Sequence, residues 1–170
     1  MEKYQTFWRR LGALLIDTFI MVPIVVLDDW FRQAEFAPLF FYVWIPLSAF
    51  VPTIYRIAMH TSGGQTLGKM ACGVRVLDVT EEPLKLNQAI RRELFQIVAN
   101  IGGIYLGIAY FGVDPESDAF KAAFAPFFNL VGVLGLADIV TCLLIAKRRA
   151  LHDLIAGTVV VRTKTNLIKS

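Results

Sequence analysis

Four apolar runs constrain this chain more than any other feature: residues 11–27, 36–59, 94–113 and 122–145. A helix needs about 20 apolar residues to cross a hydrocarbon core roughly 30 Å thick. The first run, LGALLIDTFIMVPIVVL, is short and contains Asp17 and Pro23. Extended from Arg9 to Trp30, with its ends snorkelling to the interfaces, it is long enough to span. A cleaved leader is the competing reading, and Asp17 inside the run and the lack of a small-x-small site after it argue against that. The composition agrees with lipid as the solvent: 56% of residues are hydrophobic, against about 45–50% in soluble domains.

The basic residues orient the spans. Of the 17 Lys and Arg, all but Arg32 and Lys121 fall before the first run, between or flanking the second and third at their facing ends, or after the fourth. By the positive-inside rule, both termini, the loop 60–93 and the tail 146–170 are cytoplasmic. The short outer loops hold Asp28, Asp29 and Glu35, then Asp114, Glu116 and Asp118. The expected fold is an all-α membrane protein of one domain, a four-transmembrane-helix bundle with spans near 9–30, 36–59, 94–113 and 122–145. The expected location is the plasma membrane, multi-pass, with anionic lipids drawn to the basic rim and no nucleic acid as partner.

Between the second and third runs, GVRVLD alternates as a strand does, VTEEP reads as a turn, and LKLNQAIRREL as a short interfacial helix. After the fourth run, residues 150–156 read as a helical turn or two ended by Gly157, followed by a β-branched segment. An isolated strand is unstable in water, so residues 159–162 are expected to pair with residues 74–77 in a small cytoplasmic β-hairpin or sheet.

The stretch TSGGQTLGK invites a phosphate-loop reading through Gly63, Gly68 and Lys69. Met70 stands where the magnesium-binding hydroxyl belongs, and neither a preceding strand nor a parallel-sheet pattern accompanies it. The loop motif Gly64, Gly68 and Lys69 therefore awaits another role.

At this point the chain resembles the RDD family of small membrane proteins. The resemblance is carried by FWRRLGALLID, GQTLGKMACGVRV, IRREL and LHDLIAGTVVV, in that order and over nearly the whole chain. It implies that the three residues naming the family are Arg10, Asp17 and Asp153. The residue after the family's Gly-Lys is often basic, whereas here it is Met70. The activity usually attached to the family is transport, with cation/proton antiport proposed for some members.

Arg10 and Asp17 share a helix face but lie about 10.5 Å apart along it, so each needs a partner elsewhere. An Arg10–Asp153 ion pair is expected at the inner mouth, bracing the C-terminal segment under the first helix. An ionisable group within a span marks a functional site or a paired structural one, which singles out Asp17. Asp138, nine residues before Lys147, lies about 13.5 Å from the inner rim, in the same layer as Asp17. If the two meet, Asp17, Asp138 and the hydroxyl of Thr141 form a site for a monovalent cation or a proton. The alternative for Asp17 is a protonated carboxyl bonded to a backbone carbonyl or a hydroxyl, with no transport role.

Cys72 and Cys142 offer no disulfide framework, and His60 and His152 have no metal-ligand spacing. Gly103 with Gly107, and Gly132 with Gly135, are packing signals, and Pro46 and Pro52 predict bends in the second helix. No nucleophile, base or cofactor motif is present, so no enzyme and no cofactor is expected. The expected function is membrane transport by cation/proton exchange through an intramembrane aspartate, from a homo-oligomer because four helices make a thin wall. The rival is a non-transporting scaffold or assembly factor that meets a protein partner through its cytoplasmic loop.

Overall fold

The computed structural model describes residues 2–33 and 38–163, and the chain over them is mostly helical. Residues 36–37 of the second run, together with Glu35, Lys164 and Lys169, lie outside the described residues.

The first apolar run becomes two helices, α1 (Phe7–Ile20) and α2 (Val22–Gln33), interrupted at Met21. The cause is Pro23, which has no N–H to give Phe19 and so breaks the ladder just before it. The amide of Met21 turns instead to Thr18 O at 3.0 Å. Helix α3 (Pro38–Gly63) runs 26 residues through Pro46 and Pro52. Near Pro52 the carbonyl of Ala49 accepts from Asn100 Nδ2 at 2.7 Å, so a neighbouring helix satisfies backbone where the proline loosens it.

Two short elements follow, α4 (Leu67–Ala71) and β1 (Val74–Asp78). Helix α5 (Leu86–Ala109) fuses the expected interfacial helix with the third apolar run and ends four residues before residue 113. No proline or glycine separates the two segments, and Gln88 caps the N-terminus by accepting from Lys85 N at 3.0 Å. Helix α6 (Asp118–Leu144) starts earlier than expected because Ser117 caps it, accepting from Phe120 N at 3.3 Å. The chain ends in α7 (Leu151–Ala156), closed by Gly157, and β2 (Thr158–Arg162).

The two strands pair antiparallel, with Val74 opposite Arg162 and Val76 opposite Val160. They come from opposite ends of the loop and tail, so the element is a sheet and not a hairpin. Val74, Val76, Leu84, Ala89 and Val160 form the described core, with Ile57 and Cys72 packed on it. The long helices are otherwise. Among the described residues, two segments, Phe7–Phe31 and Asp118–Leu144, are long and apolar enough to cross a membrane, and only 6% of the apolar window in each is buried inside the fold. Side chains such as Phe19, Leu136 and Leu144 point away from the protein, as those of lipid-facing helices do and those of a soluble core helix do not.

Helix α3 lies along α5, α1 against α4, and α5 against α7. The sheet unit thus hangs from the ends of α1, α3 and α5 by α4 and α7. Replacing Val76 by Ala at the centre of the sheet removes two fully buried methyls, and is expected to cost about 2 kcal/mol in a detergent melt, enough to separate the strands from the helices.

Candidate functional site

Asp17 projects from the middle of α1 into the loop that resembled a phosphate cradle. Gly68 N–H donates to Oδ1 at 2.8 Å, Tyr55 Oη to Oδ1 at 3.2 Å and Thr66 Oγ1 to Oδ2 at 2.5 Å. Tyr55 Oη also accepts from Leu67 N at 2.8 Å, and Thr66 Oγ1 from Lys69 N at 3.3 Å, so the donors are themselves held. The arrangement is anion recognition by backbone N–H and hydroxyls, with the chain's own carboxylate as the anion.

The cradle depends on two glycines. Gly64 takes φ +70, where a side chain would be strained, and a Cβ there would lie 2.6 Å from Val76 O. A Cβ on Gly68 would lie 2.2 Å from Ala13 O and 2.9 Å from the carboxylate of Asp17, so only glycine lets α4 touch α1.

Lys69 turns away from Asp17. Its Nζ lies 2.7 Å from Nε2 of His60, which is 1% exposed. Burial, then the charges of Arg92 and Arg10, pushes the amine down to about 7. Burial and the surrounding cations likewise hold the imidazole far below its ordinary 6.5, hence neutral.

Asp153, 0% exposed, is the centre of a second constellation. One carboxylate oxygen pairs with Arg10 and the other with Arg92. Ala150 N at 3.0 Å and Thr158 Oγ1 at 3.1 Å complete its donors. Burial alone would raise this carboxyl, but Arg92 and Arg10 outweigh it and hold it well below the usual range. Arg10 also donates to Cys142 Sγ at 3.3 Å, and Arg92 to Thr158 Oγ1 at 2.8 Å.

Asp138 does not meet Asp17. Its Oδ1 accepts from His152 N at 3.1 Å and lies 2.7 Å from His152 Nδ1, while His152 Nε2 faces Arg92 at 2.9 Å. The hydroxyl of Thr141 is used on its own helix, on Ala137 O and Asp138 O. Asp17, Asp138 and Thr141 therefore form no common site. Equal depth leaves rotation about the helix axis free, and the helix face of Asp138 is turned to α7.

A polar seam that the apolar runs hid continues beyond Asp17. Met21, Ile24, Val25 and Asp28 line one face of α1–α2, and with Ser48, Thr53, Arg56, Gln96 and Asn100 they enclose a cavity of about 220 Å³. Asn100 Nδ2 reaches Thr53 Oγ1 at 3.2 Å, Gln96 donates to Asn100 at 2.9 Å, Arg56 Nε pairs with Glu93 at 2.7 Å, and Trp44 Nε1 donates to Asp28 at 2.6 Å. The seam's residues recur at i, i+5 and i+8 along α3 and at i, i+3 and i+7 along α5, a polar face that hydropathy averaging conceals.

The RDD family matches the sequence over residues 4–157, nearly its whole length. The chain belongs to the RDD family. Together with its exposed apolar helices, this makes it an RDD membrane protein. No curated protein and no solved structure matches it. In this RDD protein the name-giving arginine and second aspartate bond each other, while the first aspartate is bound by the glycine loop. The resemblance did not identify Arg92, although it lies in IRREL, because Arg91 beside it is an equal candidate until α5 fixes which faces inward.

Two outcomes follow for these clamps. Gly68→Ala is expected to lift α4 from α1 at a cost of about 1–3 kcal/mol, read as a lower melting temperature and faster proteolysis between residues 60 and 93. Asp153→Asn leaves two buried guanidiniums without a counter-charge, and is expected to cost about 3–5 kcal/mol. Because the folded carboxyl lies below its unfolded value, its stabilisation is complete above about pH 4 and is lost as pH falls below that. A melt series from pH 7 to pH 3 is expected to show this acid limb in the wild type and not in Asp153→Asn.

Proposed function

We propose that this RDD protein is a four-span, multi-pass protein of the plasma membrane that exchanges a monovalent cation for a proton. Both termini and the sheet unit lie on the cytoplasmic side, Asp17 is the exchanging carboxylate, and the working unit is a homo-oligomer. Support for the orientation comes from the distribution of Lys and Arg, which also draws anionic lipids to that face.

The observation that carries this reading is the cavity lying on the same helix face as Asp17. Met21 is one turn from Asp17, and Ile24, Val25 and Asp28 continue that face outward. The oxygens of Ser48, Thr53, Gln96 and Asn100, with one carboxylate at Asp28, are hard and mostly neutral ligands suited to sodium or potassium. At the inner end, a proton on Asp17 competes with the Gly68, Thr66 and Tyr55 donors for the same lone pairs. Proton binding and closure of the cradle therefore oppose each other, which is the coupling an exchanger needs. Arg10 and Asp153 brace the inner mouth without titrating near neutrality.

The scaffold reading is favoured by one fact: Arg10, Asp17 and Asp153 are all engaged within the chain. Flux separates the two. In proteoliposomes carrying a pH gradient, the wild type is expected to move protons against sodium or potassium, and Asp17→Asn to retain its melt while losing at least about nine-tenths of the flux. An absence of flux in the wild type over all monovalent cations assigns the protein to the scaffold class.

A further inference from the structure

We infer that Lys69 and His60 form a proton-binding site separate from Asp17, and that its occupancy sets how tightly α4 holds α1. This does not rest on the exchange reading, since it concerns a bond between two helices and holds whether or not an ion crosses.

A half-buried lysine is ordinarily met by a carboxylate, yet Lys69 is met by the ring nitrogen of a buried histidine at 2.7 Å. The carboxylates of the neighbourhood are already bound: Glu93 by Arg56, Asp153 by Arg10 and Arg92, and Asp17 by Tyr55, Thr66 and Gly68.

Charges acting on the pair come from four elements around it. They are Arg10 on α1, Arg56 on α3, Arg92 and Glu93 on α5, and His152 and Asp153 on α7. The three guanidiniums of Arg10, Arg56 and Arg92 already outnumber the two carboxylates of Glu93 and Asp153. A proton on Lys69 is then an uncompensated positive charge in a half-buried place. His60 Nδ1 is buried and has no hydrogen-bond partner among the described residues. The ring cannot pass charge onward, and the proton leaves from the lysine amine to bulk water.

Coupling to α1 follows from one peptide bond. Lys69 is the residue after Gly68, whose N–H holds Asp17 at 2.8 Å and whose Cα lies against Ala13. When Lys69 is charged, Arg10 and Arg92 repel it, and its outward movement draws Gly68 from the carboxylate. With a neutral amine, the His60 bond and the Asp17 bond form together. The site is thus expected to be empty and the clamp closed above about pH 7, and occupied and loosened below it.

The test uses the full-length protein in nanodiscs with 13C-labelled lysine. The Lys69 13Cε resonance, assigned by its loss in Lys69→Met, is expected to titrate with a midpoint near pH 7 and not near 10.5. Hydrogen exchange at the Gly68 amide, corrected for its intrinsic rate, is expected to be about tenfold faster at pH 6 than at pH 8. In Lys69→Met that difference should vanish. A midpoint above pH 9, or corrected Gly68 exchange that does not change with pH, overturns the inference. If Lys69→Met does not fold, His60→Asn supplies a carbonyl acceptor for the ammonium and is expected to move the midpoint upward; an unmoved midpoint overturns it. Stability gives a further check, because a lysine whose folded value lies below its unfolded one destabilises the fold most when charged in both states. The melting temperature of the wild type relative to Lys69→Met should therefore rise from pH 7 toward pH 10, and a flat difference overturns the inference.

Discussion

A carboxylate removed from water must be given opposite charge and hydrogen bonds or it unfolds its surroundings. Asp153 receives both, and its donors come from α1, α5, β2 and the turn before α7. Two helices far apart in the chain, α1 and α5, are thereby fixed to the local segment of residues 150–158 at one atom group. The sheet is placed by this: β2 begins at Thr158, a ligand of Asp153, and its register against β1 follows. Removal of either arginine leaves one oxygen of Asp153 without its ion-pair partner, and removal of Asp153 leaves two guanidiniums facing each other, so the constellation behaves as a unit and single substitutions in it are not additive.

The same rule explains a loop that looked like something else. Glycine-rich loops recognise anions because they present N–H groups at close range. In TSGGQTLGK the anion is supplied by α1. The glycines that suggested phosphate are needed for a different close approach, Gly68 against Ala13 and Asp17, and Gly64 against Val76. Residue types thus gave the kind of chemistry, while the partner's identity required the fold.

Sequence patterns carried some of this structure and hid the rest for definable reasons. The pairing of residues 74–77 with 159–162 was legible because two short β-branched segments beside long apolar helices have few other places to satisfy their backbone. The Arg10–Asp153 contact was legible because the apolar runs on either side lead to an expectation of both residues at one boundary. Asp17 with Asp138 was inferred from depth alone, and depth says nothing of rotation: α6 turns Asp138 to His152. The break at Met21 could be read from Pro23. The continuity of α5 was obscured by a change from polar to apolar composition within one helix. The seam of Arg56, Thr53, Gln96 and Asn100 was diluted by the Leu, Ile and Val around it, and α5 registered as a span before it registered as having a face.

Helix α1 is held at two points on one face, about 10.5 Å apart. The lower, Arg10 with Asp153, joins a guanidinium that stays charged to a carboxyl held well below its usual range, so nothing near neutral pH releases it. The upper, Asp17 in the α4 cradle, depends on an N–H beside a lysine whose amine titrates near 7. Beyond the break at Met21, α2 lines the polar cavity through Ile24, Val25 and Asp28, so the permanent contact, the reversible one and the cavity follow one another along a single stretch of chain.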